Sequence, residues 1–348
     1  MIPIKNIYYM LSYAFQTLNE SGYANISTEE FDNTADLFAS ILIKGINIQL
    51  KRGLNKNYLE VNESLSTIKG KIDISTSIKT QNVLKYKLNC NYDELSENCN
   101  FNRILKTTVF LLLKLDVSKS RKKELKKLMM YFNNVDFIDI YNIDWNIKYN
   151  KNNKSYHLLL SICNLVIKGL LHTQKDGKTK LMTYLNINEM WKLYEKFVLE
   201  YYRKHFKLLS VSSEQIDWQL DDEKNEMLPL MKSDITIRDK NHVLIIDTKY
   251  YSQYSQENYG TYNWKSNNLY QIFTYVKNKE YQLKNTDHHV SGILLYAKTD
   301  ENIQPDNIYS MSGNKISIKN LDLNLPFIEI SKQLDAVVEK EFLIKATH

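Results

Sequence analysis

Apolar residues recur with helical spacing through most of the first half of the chain. Between residues 4 and 18 they fall on one wide face, which predicts an amphipathic helix. The same pattern predicts further helices over residues 28–50, 100–115, 118–132 and 155–171. Thr28 is the expected N-cap of the second helix, and Gly53 follows its basic C-terminal end.

Short segments with strand-like alternation lie between the second and third predicted helices. Residues 58–65 alternate loosely, and residues 68–74 form a predicted turn into a strand with which residues 85–92 can pair. The first part of the chain is therefore expected to be an α+β domain that combines helices with short β-hairpins.

The pattern changes after a polar, glycine-containing segment at residues 172–180. A long helix is predicted over residues 188–206, and a strand, a turn, a strand, a helix and a strand follow it. These elements are predicted at residues 231–238, 239–242, 243–250, 267–277 and 290–298. Such alternation indicates an α/β layer with mixed or parallel strands. We therefore expect two domains, residues 1–175 and residues 176–348, and the second is an α/β domain with a mixed sheet flanked by helices.

Composition narrows the class of protein without identifying it. Of the 348 residues, 43% are hydrophobic and 25% are charged, which is ordinary for a globular protein. No apolar run reaches the roughly 18–20 residues that a membrane-spanning helix needs, and no signal peptide is evident, so we expect a soluble, cytoplasmic protein. The three cysteines do not form a disulfide framework. The net charge of +6 is compatible with phosphate contact and with many other functions.

The residues that carry chemistry lie in the predicted strand–turn–strand segment. Side chains two apart on a strand share a face, so Asp247 and Lys249 point the same way. The four-residue turn brings Asp234 alongside Asp247. Two carboxylates at a sheet end suit Mg²⁺, which prefers oxygen ligands, and the main-chain carbonyl of Thr248 is a possible third ligand. Lys249 would orient or deprotonate the attacking water.

This pattern resembles the catalytic core of the PD-(D/E)xK nuclease superfamily, although Ser233 stands where the superfamily name has proline. A D-x-K triplet alone is more often a solvated strand tip, so its context carries the interpretation. The resemblance implies an acidic residue on the preceding helix, for which Glu200 is the first choice and Glu195 the second. It also implies a polar residue on the following helix, which Gln271 matches.

Segments throughout the chain resemble the McrC family, the nuclease subunits of McrBC modification-dependent restriction systems. The matching segments are IPIKNIYYMLSYA at 2–14, IKGKI at 68–72, NRILK at 102–106, IIDTKYY at 245–251 and NLYQ at 268–271. The resemblance implies an Mg²⁺-dependent endonuclease subunit with a PD-(D/E)xK domain, cutting double-stranded DNA in defence against phage. It implies a partner as well, a McrB-like AAA+ GTPase hexamer whose GTP hydrolysis the N-terminal domain stimulates, and no membrane.

On this interpretation several basic residues gain candidate roles. Lys69, Lys71 and Arg103 are candidates for the interface with the GTPase. The basic segment at residues 119–127 could touch DNA phosphates or an acidic surface of the motor, and a solvated helix face is the default alternative. The chain has no P-loop motif, so it is not expected to bind GTP by itself.

Two other classes of function remain open at this stage. The first is a non-catalytic GTPase activator that carries a degenerate nuclease fold, against which the intact Asp234, Asp247 and Lys249 set argues. The second is a nucleic-acid-binding module or a nuclease of another pathway, such as RNA processing or repair.

Overall fold

The computed structural model describes residues 2–19, 23, 26, 29–151, 153–175, 187–222, 226–251, 255–258, 261–298 and 304–347. Its contacts divide the chain into two compact units. We call Glu20–Tyr184 the helical unit. The sheet unit combines Met1–Asn19 with Leu185–His348.

The first helix, α1 (Ile4–Ala14), belongs to the sheet unit although it opens the chain. The Asn6 side chain donates hydrogen bonds of 2.8 Å to the carbonyls of both Leu323 and Leu325. We expected the first 175 residues to form one domain, whereas the contacts group α1 with the second half of the chain. The expected boundary itself stays a prediction, because residues 176–186 lie outside the described residues.

The helical unit agrees with the predicted α+β pattern. It contains α2 (Thr34–Arg52), β1 (Asn57–Leu65), β2 (Lys71–Ile72), α3 (Ile74–Lys79), β3 (Leu88–Ser96), α4 (Asn100–Leu113), α5 (Lys119–Met129) and α6 (Tyr156–Lys175). Strand β3 lies between β1 and β2 and pairs antiparallel with both.

Helix α2 begins later than the sequence pattern suggested. Asn33 is its N-cap, and the Asn33 side chain accepts a hydrogen bond of 2.9 Å from the main-chain N–H of Asp36. The expected cap, Thr28, lies outside the described residues. The predicted end is confirmed, since Gly53 terminates the helix with a φ of 86°, which glycine adopts without a steric cost.

The sheet unit is built around a six-stranded mixed sheet. After α7 (Ile187–His205) come β4 (Ser210–Ser212), β5 (Gln215–Ile216), β6 (Met231–Lys232), β7 (Ile235–Arg238), β8 (His242–Lys249), β9 (Ser255–Asn258), β10 (Thr261–Trp264), α8 (Ser266–Gln282), β11 (His289–Ala297), β12 (Asp306–Met311), β13 (Asn314–Leu321) and α9 (Phe327–Phe342). The sheet order is β12-β13-β11-β8-β7-β4, with β11 parallel to both β8 and β13 and the other pairs antiparallel. This arrangement confirms the predicted mixed sheet flanked by helices.

Burial explains why the central strands read as apolar runs in the sequence. From the second residue onward, β8 and β11 are buried along their whole length, as expected for parallel strands covered by helices. Helix α8 packs onto one face of this sheet through Ile272, Tyr275 and Val276. No helix within the described ranges is long and apolar enough to cross a membrane.

The strand predicted at residues 231–238 is interrupted in the structure. Met231–Lys232 pairs with β5 as a separate two-stranded sheet, and β7 begins only at Ile235. Asp234 therefore lies in the break between two short strands and not inside one strand, as the sequence pattern suggested. The pattern could not show this break, because the pairing with β5 involves residues 15 and 17 positions away along the chain.

Gly292 in the middle of β11 allows α8 to approach the sheet closely. A Cβ atom at this position would lie 2.8 Å from Val276 Cγ2, 2.9 Å from Ile272 Cγ1 and 3.1 Å from Ile316 Cδ1. Real Cβ contacts are longer, so any side chain at residue 292 would push the helix away from the strand.

We expect Gly292→Ala to lower the free energy of unfolding by about 1–3 kcal/mol, the usual cost of overpacking a core. The measurement is urea denaturation of the full chain. Ser291→Ala, which removes an oxygen from the adjacent buried position, is the control for a small change at this strand. An unchanged unfolding midpoint for Gly292→Ala would show that α8 does not need this close approach.

Candidate active site

A short hairpin positions the acidic residues that the sequence singled out. The Asp239 carboxylate accepts hydrogen bonds from the main-chain N–H groups of Asn241 (3.0 Å) and His242 (2.8 Å), which fixes the predicted turn between β7 and β8. In the resulting register Ile235 lies opposite Ile246. Asp234 precedes Ile235 and Asp247 follows Ile246, so the two aspartates are neighbours where the paired part of the hairpin ends.

Ser233 holds the main chain that carries Asp234. Its N–H donates to the carbonyl of Glu214 (2.9 Å), its Oγ accepts from the Glu214 N–H (3.1 Å), and the same Oγ lies 2.8 Å from Thr236 Oγ1. The Ser213 hydroxyl donates to the Ser233 carbonyl (2.7 Å). A proline would lack the N–H, so this departure from the superfamily pattern supplies a hydrogen bond that proline could not make.

Thr248 orients Asp234 through two hydrogen bonds. Its main-chain N–H and its hydroxyl both donate to Asp234 Oδ2, at 2.7 and 2.8 Å. The sequence pattern indicated only the main-chain carbonyl of Thr248 as a candidate ligand. The hydroxyl contact is a role that the sequence pattern missed, and it leaves the other carboxylate oxygen of Asp234 for a further ligand.

Asp247 is buried, with only 1% of its surface exposed. The ammonium nitrogen of Lys249 lies 2.5 Å from Asp247 Oδ2, as predicted from their shared strand face. The ammonium and the carboxylate form an ion pair, but their atoms are not aligned for a hydrogen bond. Asp247 Oδ2 therefore accepts no well-aligned hydrogen bond from the described part of the chain, which is unusual for a buried carboxylate oxygen.

Lys249 is tied to helix α8. Its Nζ donates to Gln271 Oε1 (3.0 Å), and Gln271 Nε2 donates in turn to the hydroxyl of Tyr275 (2.9 Å). The structure thus brings Gln271 to the site, where the resemblance had placed it. Tyr275 fixes which end of the Gln271 amide faces the lysine.

The pKa values reflect burial of like charges. Burial, with the charge of Asp234, raises the pKa of Asp247 to about 7 against the opposing effect of Lys249. Burial also raises the pKa of Asp234, and the hydrogen bonds from Thr248 limit that rise. Burial lowers the pKa of Lys249, but Asp247 and its acidic neighbours outweigh this effect and leave the pKa above its ordinary value. A cationic Lys249 is suited to orienting water and balancing charge rather than to accepting a proton.

The two acidic residues proposed on the preceding helix differ in surroundings. Glu195 is partly buried, and burial together with the charges of Asp234 and Asp247 raises its pKa to about 7. Glu200 instead pairs with Arg203 at 2.7 Å. Five residues on a helix correspond to a rotation of about 140°, so the two cannot face the same group. The structure therefore places the second choice, Glu195, near the carboxylate pair, and not Glu200.

The carboxylate pair is compatible with Mg²⁺. The described residues contain no cluster of three or more His, Cys, Asp or Glu side chains that could hold a metal ion. Mg²⁺ is commonly held by one or two carboxylates while it keeps several waters. Asp234 and Asp247 form such a pair, and their carboxylate oxygens are the ligands that Mg²⁺ prefers, although Asp247 Oδ2 already contacts the Lys249 ammonium.

The residues proposed for a partner interface lie in the helical unit. Lys69 is exposed, with its ammonium 3.7 Å from the centre of the Tyr92 ring. Lys71 is exposed on β2. Arg103 pairs with Asp136 at 2.9 Å. Their contact with a partner stays a prediction.

Comparisons with known proteins identify the family of the chain. The family of McrBC 5-methylcytosine restriction system components matches residues 4–297. The chain is 28% identical over 341 residues to the type IV methyl-directed restriction enzyme EcoKMcrBC of Escherichia coli K12, covering 96% of each. Its fold matches a chain of the Thermococcus gammatolerans half-complex of McrB AAA+ hexamers with bound McrC, with a TM-score of 0.51, 16% identity and coverage of 97% of this chain and 76% of that chain.

The raised pKa of Asp247 predicts a pH-dependent stability. Because the folded state binds this proton more tightly than the unfolded state, the contribution of Asp247 falls as pH rises from about 4 through about 7. The quantity to compare is the fall in the free energy of unfolding between about pH 5 and about pH 8. We expect this fall to be smaller for Asp247→Asn than for the unmodified chain, by roughly 2–4 kcal/mol at about 1.4 kcal/mol per pKa unit. Urea titrations in a metal chelator measure this difference, with the exposed Asp287→Asn as the matched control. Parallel pH profiles would contradict it.

Proposed function

The chain belongs to the family of McrBC 5-methylcytosine restriction system components, and from this premise we propose that it is the DNA-cleaving subunit of such a system. In this proposal the sheet unit is a PD-(D/E)xK endonuclease that hydrolyses phosphodiesters of double-stranded DNA with Mg²⁺. The restriction-enzyme relative, matched along nearly its whole length, supports a nuclease function in general.

One observation carries the specific proposal. Asp234, Asp247 and Lys249 meet at the end of a buried strand, where a glutamine from α8 and a threonine hydroxyl orient them. Burial of two like charges beside each other is costly, and a fold retains such an arrangement where an ion or a reaction requires it. A degenerate nuclease fold would have no reason to preserve this complete set.

Each residue has a defined role in the proposed reaction. Asp234 and Asp247 would hold the ion, with the Thr248 carbonyl as a possible third ligand. A bound Mg²⁺ supplies polarisation of the phosphodiester and a lower pKa for a coordinated water. Lys249 orients the attacking water and offsets the negative charge that builds on the phosphate oxygens, and Gln271 keeps the ammonium in place.

The partner in this proposal is a McrB-like AAA+ GTPase hexamer. The structural relative was solved as McrB AAA+ hexamers with bound McrC, and its 16% identity to this chain supports the fold alone. We assign the contact with the GTPase to the helical unit, with Lys69, Lys71 and Arg103 as candidates. The chain would act in the cytoplasm, where DNA and GTP are available.

The proposal predicts that Asp247→Asn abolishes DNA cleavage while GTPase stimulation persists. The loss should be at least about 100-fold, since one of the two carboxylates that would hold Mg²⁺ loses its charge. The measurement mixes the chain with its GTPase partner, GTP, Mg²⁺ and methylated plasmid DNA, and follows both DNA scission and GTP turnover. Cleavage at the unmodified rate would refute the site. Absence of scission by the unmodified chain, with GTPase stimulation intact, would favour the non-catalytic activator.

Glu195 and Glu200 give a matched pair on one helix. We expect Glu195→Gln to slow cleavage by about 10- to 100-fold, as for residues that support metal ligands. Glu200→Gln should leave the rate near normal, because Glu200 pairs with Arg203 away from the carboxylates. Cleavage rates under the same conditions decide between the two. The reverse order of effects would restore Glu200 as the acidic residue of the site.

A further inference from the structure

Helix α5 of the helical unit carries five lysines that the proposed reaction does not use. Its sequence is KSRKKELKKLM, and it begins at Lys119. The five are Lys119, Lys122, Lys123, Lys126 and Lys127. Lys122 is partly exposed and the other four are exposed. We call these five residues the lysine arc.

The lysine arc occupies one continuous side of the helix. At 100° per residue, the five side chains span about 140° of the circumference and about 12 Å of the axis. Leu125 and Leu128 are buried and mark the side packed against the unit. Glu124, the single acidic residue of α5, lies outside the arc.

The charges of the arc have no carboxylate partner among the residues that the structure describes. None of the five ammonium groups forms an ion pair with a carboxylate of the described ranges, whereas Arg121 on the same helix pairs with both Asp36 and Glu29. The helix therefore separates an arginine used for internal structure from lysines that face solvent.

The arc opposes the local stability of its own helix. Residues three or four apart on a helix are neighbours, so the arc contains several repelling pairs. The first turn contains no acidic residue and begins with a lysine, although the helix dipole favours negative charge there. A sequence that breaks these local rules without a compensating contact inside the fold suggests selection for a ligand.

We propose that the lysine arc binds the phosphate backbone of double-stranded DNA, at a site separate from the carboxylate pair. The repeated phosphate charge of a duplex complements a row of point charges, and 12 Å corresponds to the rise of about three to four base pairs. A protein partner would rely on apolar or aromatic anchors at the centre of its interface, and the exposed Met130 and Tyr131 follow the arc rather than lie within it. No apolar side chain interrupts the arc.

This inference rests on the proposed function only in naming DNA as the phosphate-bearing polymer that the arc binds. In a restriction subunit, a sequence-independent backbone contact would hold the duplex while the carboxylate site acts on it. The contact needs neither Mg²⁺ nor an intact carboxylate pair, so it can be tested apart from cleavage.

The experiment measures binding of a short fluorescent DNA duplex to the full chain carrying Asp247→Asn, in a metal chelator, over a series of salt concentrations. The variant changes all five arc lysines to glutamine, which has a similar helix propensity. The matched control changes Lys51, Lys79, Lys148, Lys151 and Lys154, which are exposed lysines of the same unit.

We expect the arc variant to make the slope of log affinity against log salt shallower by about 3 to 4, and to weaken binding at physiological salt on the order of 100-fold. The control variant should change both much less. Because repulsion within α5 is relieved, the arc variant should also melt at a higher temperature than the unmodified chain, so weaker binding could not be attributed to unfolding.

Three results would overturn the proposal. One is an unchanged salt slope, and another is an equal loss in the control variant, which would show a general effect of net charge. The third is unchanged DNA binding with lost stimulation of the GTPase, which would assign the arc to the protein partner. Failure of the unmodified chain to cleave DNA would instead count against the proposed function and leave the binding result standing.

Discussion

The central constraint of this molecule is the burial of two carboxylates side by side at the end of a strand. Asp247 is buried and Asp234 is partly buried, so water screens their repulsion poorly, and burial raises the pKa of both. One cation from the chain, Lys249, offsets part of this charge. The rest of the sheet unit must hold all three groups in place against the repulsion between the two carboxylates. This requirement explains why the residues around them are firmly fixed.

Several separate contacts provide this rigidity. The hydrogen bonds of Ser233 fix the main chain before Asp234, and Thr248 fixes its carboxylate. Gln271 fixes the lysine, and it reaches the site because Gly292 lets its helix lie close to the sheet. Hydrogen bonds and dense packing around the carboxylates thus offset the repulsion between them, as is common where a fold supports chemistry.

Local sequence patterns made the central residues of the candidate site predictable. The alternation of side chains on a strand and the short turn at Asp239 were enough to bring Asp234, Asp247 and Lys249 together. The sequence did not reveal that Asp234 lies in a break between strands, because that break depends on pairing with the distant β5. It also favoured Glu200 over Glu195, since the rotation of a helix about its own axis is set by packing that periodicity describes only loosely. The strands β12 and β13 and the helix α9, beyond the last predicted strand, were not anticipated.

The placement of α1 has a consequence for the order in which the protein is made. The side chain of Asn6 bonds to carbonyls 317 and 319 positions later in the chain. The apolar face of α1 must therefore wait for α7, which follows the helical unit in the chain, and Asn6 must wait longer for its carbonyl partners. The intervening helical unit has its own core and can fold during that interval. Completion of the sheet unit is then a late event in biogenesis, so the candidate active site assembles only after the helical unit has been synthesised.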